Sequence, residues 1–234
     1  MLMDIPFMLE ILPRLLRGLL LTLQISLLSL AVGLVFGVLL GVVRVIGPAP
    51  VRRLIAGFVF FVRGTPVILH IFGAALLLPK IGLDFSVFWI GFAALTFNTI
   101  GYQIEIVRAA IQSIDRGQME AAAAIGMTRW MAMRDIILPQ AARRMIPPLT
   151  NELANLVKAS SVLSVIAVLE VTKIANSIRA ATFKSTEIYI IVAILYFVVV
   201  QLLIRGAYYL EQNVFTYRPS GQPVTKTKQA TLGN

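Results

Sequence analysis

Residues 18–43 form an unbroken run without a single charged side chain. A helix needs about 20 predominantly apolar residues to cross a bilayer, so this run by itself places the chain in a membrane. The composition points the same way: 58% of residues are hydrophobic and 14% are charged, against about 25% charged in soluble domains. The run also exceeds the roughly 7–15 apolar residues of a signal peptide, and Asp4 and Glu10 precede Arg14 and Arg17. It is therefore expected to be a retained span.

Four further charge-poor runs, at 54–78, 85–107, 148–169 and 188–208, predict an all-α polytopic membrane protein with five transmembrane helices. The second run is interrupted by Arg63 and the pair Thr65-Pro66, and the fourth contains Lys158. Basic residues set the direction of insertion. Arg44, Arg52 and Arg53 follow the first run. Arg116, Arg129, Arg134, Arg143 and Arg144 follow the third, against Asp115, Glu120 and Asp135. The tail at 216–234 carries Arg218, Lys226 and Lys228 with no acid. An N-terminus outside and a C-terminus inside satisfy every loop, which makes residues 111–147 cytoplasmic. The formal net charge of +10 is then explained by cytoplasmic loops and calls for no nucleic-acid partner. With no cysteine and a single histidine, disulfides and thiolate metal sites are excluded. The expected division is an outer N-terminal segment at 1–17, a membrane domain at 18–215 and a disordered polar tail at 216–234.

The cytoplasmic loop contains the most distinctive segment. Met119 to Ile125 is dominated by alanine, the best helix former, and its methyl groups make a slim helix that can enter a groove. Gly126 can end that helix at little steric cost. A second piece places Trp130, Met131, Met133 and Ile137 among Arg129, Arg134 and Asp135. Pro139 and Pro147-Pro148 are expected to break the chain before it re-enters the membrane. Helices this short are marginal in water and need a partner surface. That surface is either another protein or, for an amphipathic helix anchored by Trp130 and the arginines, the lipid interface.

Glu120-Ala121-Ala122, Gly126 four residues later, and Ile137-Leu138-Pro139 beyond resemble the EAA motif of ATP-binding-cassette importer permeases. A narrower resemblance, to the polar amino-acid uptake permeases, rests on several segments in order. They are Phe61-Val62-Arg63-Gly64-Thr65-Pro66, the stretch from Tyr102 to Ile114, Gly117 to Ala121, Leu138-Pro139-Gln140-Ala141, Pro147-Pro148-Leu149 with Asn151, and Lys158-Ala159-Ser160-Ser161. At the last of these the family more often has Lys-Asp/Asn-Thr-Ser. The resemblance implies coupling helices between the third and fourth spans, with Glu120, Ala121, Ala122, Gly126, Leu138 and Pro139 docking on an ATPase. It also implies two ATP-binding subunits, a second permease subunit (a second copy or a paralogue), an external solute-binding protein and a polar amino-acid substrate. The expected location is the bacterial inner membrane. No Gly-x-x-x-x-Gly-Lys-Ser/Thr loop is present, so the chain is expected to be non-catalytic and to bind no cofactor or metal, with ATP and Mg on the partner ATPase. The alternative is a self-sufficient secondary transporter or channel, which the lack of a long internal repeat disfavours.

Within the spans, Arg63 lies about ten residues, or roughly 15 Å, from its cytoplasmic helix end, and Lys158 at a similar depth. Ionisable groups at that depth are expensive and point to function. They are expected to meet a carboxylate, with hydrogen bonds from Thr65, Asn98, Ser160 and Ser161, or else to be structural and snorkelling. Glu105 is placed near the cytoplasmic face, in a local pair with Arg108. Glu170 is placed near the outer face, where it either meets the substrate ammonium or is a surface acid. No acid is expected at the depth of the two cations. His70 is read as pore-lining or hydrogen-bonded packing, and Gly33, Gly37 and Gly41 as a close-packing stripe.

Overall fold

A computed structural model describes residues 4–214, without the side chains of residues 210–214, so the tail at 216–234 lies outside the described residues. Every regular element among them is helical. The elements are α1 (Ile5–Ile46), α2 (Ala49–Gly64), α3 (Val67–Lys80), α4 (Val87–Gln112), α5 (Arg116–Ala124), α6 (Arg129–Ala132), α7 (Leu138–Ala159), α8 (Val171–Thr182) and α9 (Ser185–Val214). By length and composition α1, α4 and α9 can each cross a membrane, and two bent helix pairs raise the number to as many as five.

The first helix starts at Ile5, well before residue 18. Asp4 caps it by accepting from the Phe7 amide at 3.1 Å, with a proline in the first two helical positions. Hydropathy stops at Arg17, but the buried stripe does not. Ile11, Leu15 and Leu19 are buried against α8 and α9 with Val171, Ile178 and Ile188, while Arg14 and Arg17 stay exposed. The same helix then buries Thr22, Ser26, Ser29, Gly33, Gly37 and Gly41. These small residues let α4 approach closely. A Cβ on Gly33 would stand 2.6 Å from the Thr99 side chain, and one on Gly37 would stand 2.7 Å from Gln103 Cβ. The stripe is a packing seam, as its spacing predicts.

Residues 54–78 are not one helix. Proline lacks an N–H and disfavours the helical conformation in the residue before it; Thr65 is extended (φ −117°, ψ 142°). The axes of α2 and α3 consequently meet at 104°.

The fourth run departs furthest from expectation. Pro147 and Pro148 lie inside α7 and do not break it. The carbonyls they leave without a donor belong to Arg143 and Arg144, which are exposed. Pro139 acts locally: the turn just before α7, Met133–Ile137, is π-helical, which accommodates a ring that cannot donate to the carbonyl four residues back. At the other end α7 stops at Ala159. It tightens into a 3₁₀ segment, Ser160–Ile166, and terminates at Ala167 in the left-handed region (φ 65°). Residues 160–169 therefore do not continue the straight helix expected there.

Glu170 then starts α8, an element absent from the sequence expectation. Its carboxylate accepts from the Lys173 amide at 2.6 Å and the Thr172 amide at 2.8 Å, and the Tyr196 hydroxyl donates to it at 3.2 Å. The residue is fully buried. Glu170 is thus not a surface acid: it is buried, and its carboxylate caps α8 and accepts from Tyr196 of α9.

Two outcomes follow for this packing. Gly37→Val should lower stability by about 1–3 kcal/mol through overpacking, read as a lower thermal midpoint in detergent. Gly57→Ala, where nothing lies within 4 Å of the added Cβ, should not lower it; an unchanged midpoint for Gly37→Val would reject the seam. Glu170→Ala should cost about 0.5–2 kcal/mol as a lost cap while leaving substrate affinity unchanged. A changed affinity at unchanged stability would return Glu170 to the binding site.

Candidate functional site

The bend between α2 and α3 organises one polar region. The Thr65 hydroxyl, released from helical geometry by Pro66, donates to the Phe61 carbonyl at 2.8 Å. Its oxygen lies 2.6 Å from His70 Nε2, and Asn98 Nδ2 lies 3.1 Å from His70 Nδ1. One tautomer satisfies all three contacts: Nε2–H donates to Thr65, and Nδ1 accepts from the Asn98 amide. The ring also packs on Phe97, with centroids 5.4 Å apart. His70 is accordingly a hydrogen-bonded strut that ties the bend to α4.

Thr65, Pro66, Asn98, Tyr102, Glu152 and Asn155 line a cavity of about 280 Å³. Glu152 is the residue that the sequence reading missed. It is 7% exposed, and the Thr99 hydroxyl donates to it at 2.7 Å. Gln103 Nε2 donates to Thr99 Oγ1 at 3.1 Å and to the Leu30 carbonyl at 3.1 Å. A chain of hydrogen bonds therefore runs from the backbone of α1 through α4 to a carboxylate on α7. The expectation that no acid accompanies the cations is corrected here. Asn151, Glu152 and Asn155 all lie inside the apolar run at 148–169, and an acid within a span was itself a signal.

Arg63 ends α2 and is exposed. Its guanidinium lies 5.4 Å from the centroid of the Tyr102 ring, a cation–π geometry, and it interacts electrostatically with Glu152. With Tyr102 and Glu105 it lines two adjoining cavities, of about 540 Å³ and about 410 Å³. Arg44 lines the former, and Ser113 and Arg144 line the latter. Glu105 is held between two arginines: it pairs with Arg44 of α1 and accepts from Arg108 Nε at 2.7 Å. The local Glu105–Arg108 pair is present as expected, and the additional Arg44 contact pins α1 to α4.

Thr65 and Asn98 thus share one cavity, Arg63 lines the cavities adjoining it across Tyr102, and the remaining candidates do not join them. Lys158 is exposed in the last turn of α7 and lines none of these three cavities. Ser160 is buried, its hydroxyl donating to the Val157 carbonyl at 2.8 Å, and Ser161 donates to the Lys158 carbonyl at 2.7 Å. Both hydroxyls bond to carbonyls of the last turn of α7. Glu170 belongs to the α8 cap described above.

The alanine-rich segment forms a second region. Asp115 caps α5 through the Gly117 amide at 2.7 Å. The helix closes with Gly126 N–H to the Ala123 carbonyl and Met127 N–H to the Ala122 carbonyl, both at 3.0 Å. Gly126 has φ +82°, a conformation that strains any side chain carrying a Cβ. Ala122 faces inward, and Met133, Ile137 and Met145 pack with Val107, Ile111 and Ile114 at the end of α4, with Met119 and Leu138 alongside. Glu120, Ala121, Gly126 and Pro139 are exposed. So are Ile125 (76%) and Trp130 (57%). The outer face of α5 and α6 is therefore exposed, with Ile125 and Trp130 standing among Arg116, Glu120 and Arg129.

The family model of the binding-protein-dependent transport system inner membrane component matches residues 8–216. The probable glutamine ABC transporter permease protein GlnM of Bacillus subtilis (strain 168) is 40% identical over 193 residues, covering 82% of this chain and 89% of that protein. The glutamine transport system permease protein GlnP of Escherichia coli (strain K12) is 36% identical, covering 82% and 88%. Among solved structures, an amino acid ABC transporter crystallised with histidines superposes with a TM-score of 0.83 at 32% identity, covering 91% of this chain and 99% of that one. The MetNI methionine ABC transporter in an inward-facing conformation shares the fold, with a TM-score of 0.76 at 21% identity, covering 87% and 97%. A membrane-type helical bundle with a broken helix pair over a polar cavity, matched along nearly its whole length, belongs to the family of binding-protein-dependent transport system inner membrane components, as a permease of the amino-acid ABC transporters.

Proposed function

We propose that this subunit passes a polar amino acid across the bacterial inner membrane in five spans, with its N-terminus outside and its C-terminus in the cytoplasm. The observation that carries the substrate reading is that Thr65, Asn98 and Glu152 line one cavity at the bend of α2 and α3, while Arg63 lines the adjoining cavities across Tyr102. A zwitterion needs a cation for its carboxylate and an anion for its ammonium. Arg63 offers a bidentate fork for the first. Glu152, pre-oriented by Thr99 and Gln103, offers a charged acceptor for the second. Holding such a carboxylate in a low-dielectric interior is costly unless it is paired, and an incoming ammonium supplies the missing charge. The bend adds backbone groups freed by Pro66, which are tolerated at membrane depth only where they line a cavity.

Membership of an ABC importer family implies ATP-binding subunits and a substrate-binding protein. In this reading two ATPases carry ATP and Mg and perform the hydrolysis, a second permease subunit completes the pathway, and the solute-binding protein delivers the amino acid from outside. The loop at 111–147 faces the cytoplasm, and the exposed outer face of α5 and α6 docks on an ATPase. Because Met133 and Ile137 pack on the end of α4, a push on α5 reaches the helix that holds Asn98, Thr99 and Tyr102. Substrate shifts the resulting equilibrium only through different affinities for its two states.

Glu152→Gln keeps the shape and removes the charge. It should raise the KM for uptake by roughly 10- to 100-fold, matching about 1.5–3 kcal/mol for a charge-assisted hydrogen bond. Proteoliposomes holding the ATPase and the binding protein supply the measurement, and unchanged kinetics would remove Glu152 from the site. Gly126→Val forces a β-branched residue into the left-handed region at about 1–3 kcal/mol. It should abolish assembly with the ATPase or separate ATP hydrolysis from uptake; normal coupling would mean that α5 is not the transmission element.

A further inference from the structure

Away from the substrate cavity, α7 and α9 enclose a space of about 380 Å³ lined by Thr150 and Asn151 on one side and Arg205, Tyr208 and Tyr209 on the other. The mechanism above uses none of these residues. Arg205 is exposed and takes part in no ion pair among the described residues. The face of α9 leading to it is apolar: Ile194, Val198 and Leu202 are exposed at 53%, 44% and 64%. At helical spacing these three fall on one stripe, which Arg205 and Tyr209 continue. From Ile194 to Arg205 is eleven residues, or roughly 16 Å, close to half of the roughly 30 Å hydrocarbon core. The stripe therefore has the dimensions and polarity of one amphiphile in one leaflet: an apolar track one leaflet deep, ending at a guanidinium that lines a space shared with two phenols.

We propose that this space is a binding site for an anionic phospholipid of the cytoplasmic leaflet. The phosphate is held by Arg205 with hydrogen bonds from the polar lining, and an acyl chain lies along Ile194, Val198 and Leu202. Arginine suits a phosphate through its planar fork, and basic pockets between helices on the cytoplasmic side are suited to lipid headgroups. Charge favours this occupant over the chain's own tail. Residues 215–234 carry Arg218, Lys226 and Lys228 and no acidic side chain, so the tail brings no countercharge to Arg205. The proposal rests on the orientation given above, with the end of α9 in the cytoplasm. Its test reads lipid identity rather than transport, so the two can fail separately.

The test is native mass spectrometry of the assembled transporter taken from bilayers of equal parts phosphatidylglycerol and phosphatidylcholine. The expected result is selective retention of phosphatidylglycerol, reduced roughly fivefold by Arg205→Ala and largely kept by Arg205→Lys. Because Arg205 is exposed, the Ala variant should assemble normally, which the intact-complex mass itself reports. Equal retention of the two lipids would leave only a generic apolar surface and overturn the proposal. Undiminished phosphatidylglycerol on Arg205→Ala would do the same. Displacement of the lipid by millimolar inorganic phosphate would identify a free-anion site instead and overturn the lipid assignment.

Discussion

Everything polar in the centre of this bundle depends on how closely α1 can approach α4. Gly33, Gly37 and Gly41 remove the side chains that would hold the helices apart, and Thr99, Gln103 and Val107 fill the space. With little hydrophobic driving force between helices in lipid, association relies on close packing and interhelical hydrogen bonds. The seam provides both. It brings the Leu30 carbonyl within reach of Gln103, which orients Thr99, which in turn donates to Glu152. A carboxylate can be kept in that interior because the seam supplies its nearest donor.

The functional regions are built where helices stop being regular. Pro66 separates α2 from α3 and leaves Thr65 beside a cavity. The 3₁₀ segment after Ala159 ends α7, and the hydroxyls of Ser160 and Ser161 bond to carbonyls there. The π turn before Pro139 lets the chain pass from the exposed alanine helix into α7 without losing continuity. A rigid seam flanked by irregular turns keeps the cavity walls registered while leaving places where α2, α3 and α7 can bend.

Charge follows the same division of labour. Glu105 is saturated between Arg44 and Arg108 at the end of the bundle near the alanine-rich segment, where it locks α1 to α4. Glu152 has a single hydrogen-bond donor and a nearby but unbonded Arg63. Glu170 is saturated by its own helix and Tyr196. Three buried or half-buried acids thus carry three roles, and the under-coordinated one faces the cavity at the bend of α2 and α3.

Much of this was readable from residue order alone. Hydropathy, the distribution of arginines, the glycine spacing, Thr65-Pro66 and the alanine-rich segment are local properties, each visible in a short window. They determined an all-helical membrane chain, a break at Thr65-Pro66, a packing seam and an exposed alanine-rich helix. Tertiary structure decided the rest, because a side chain's role in a membrane depends on which neighbour satisfies it. Glu152 and Glu170 are both acids in or beside the fourth apolar run, and no local window tells them apart. One is committed by the amides of α8 and the other left facing a cavity, and that difference arises only when α1, α4, α7, α8 and α9 are packed together.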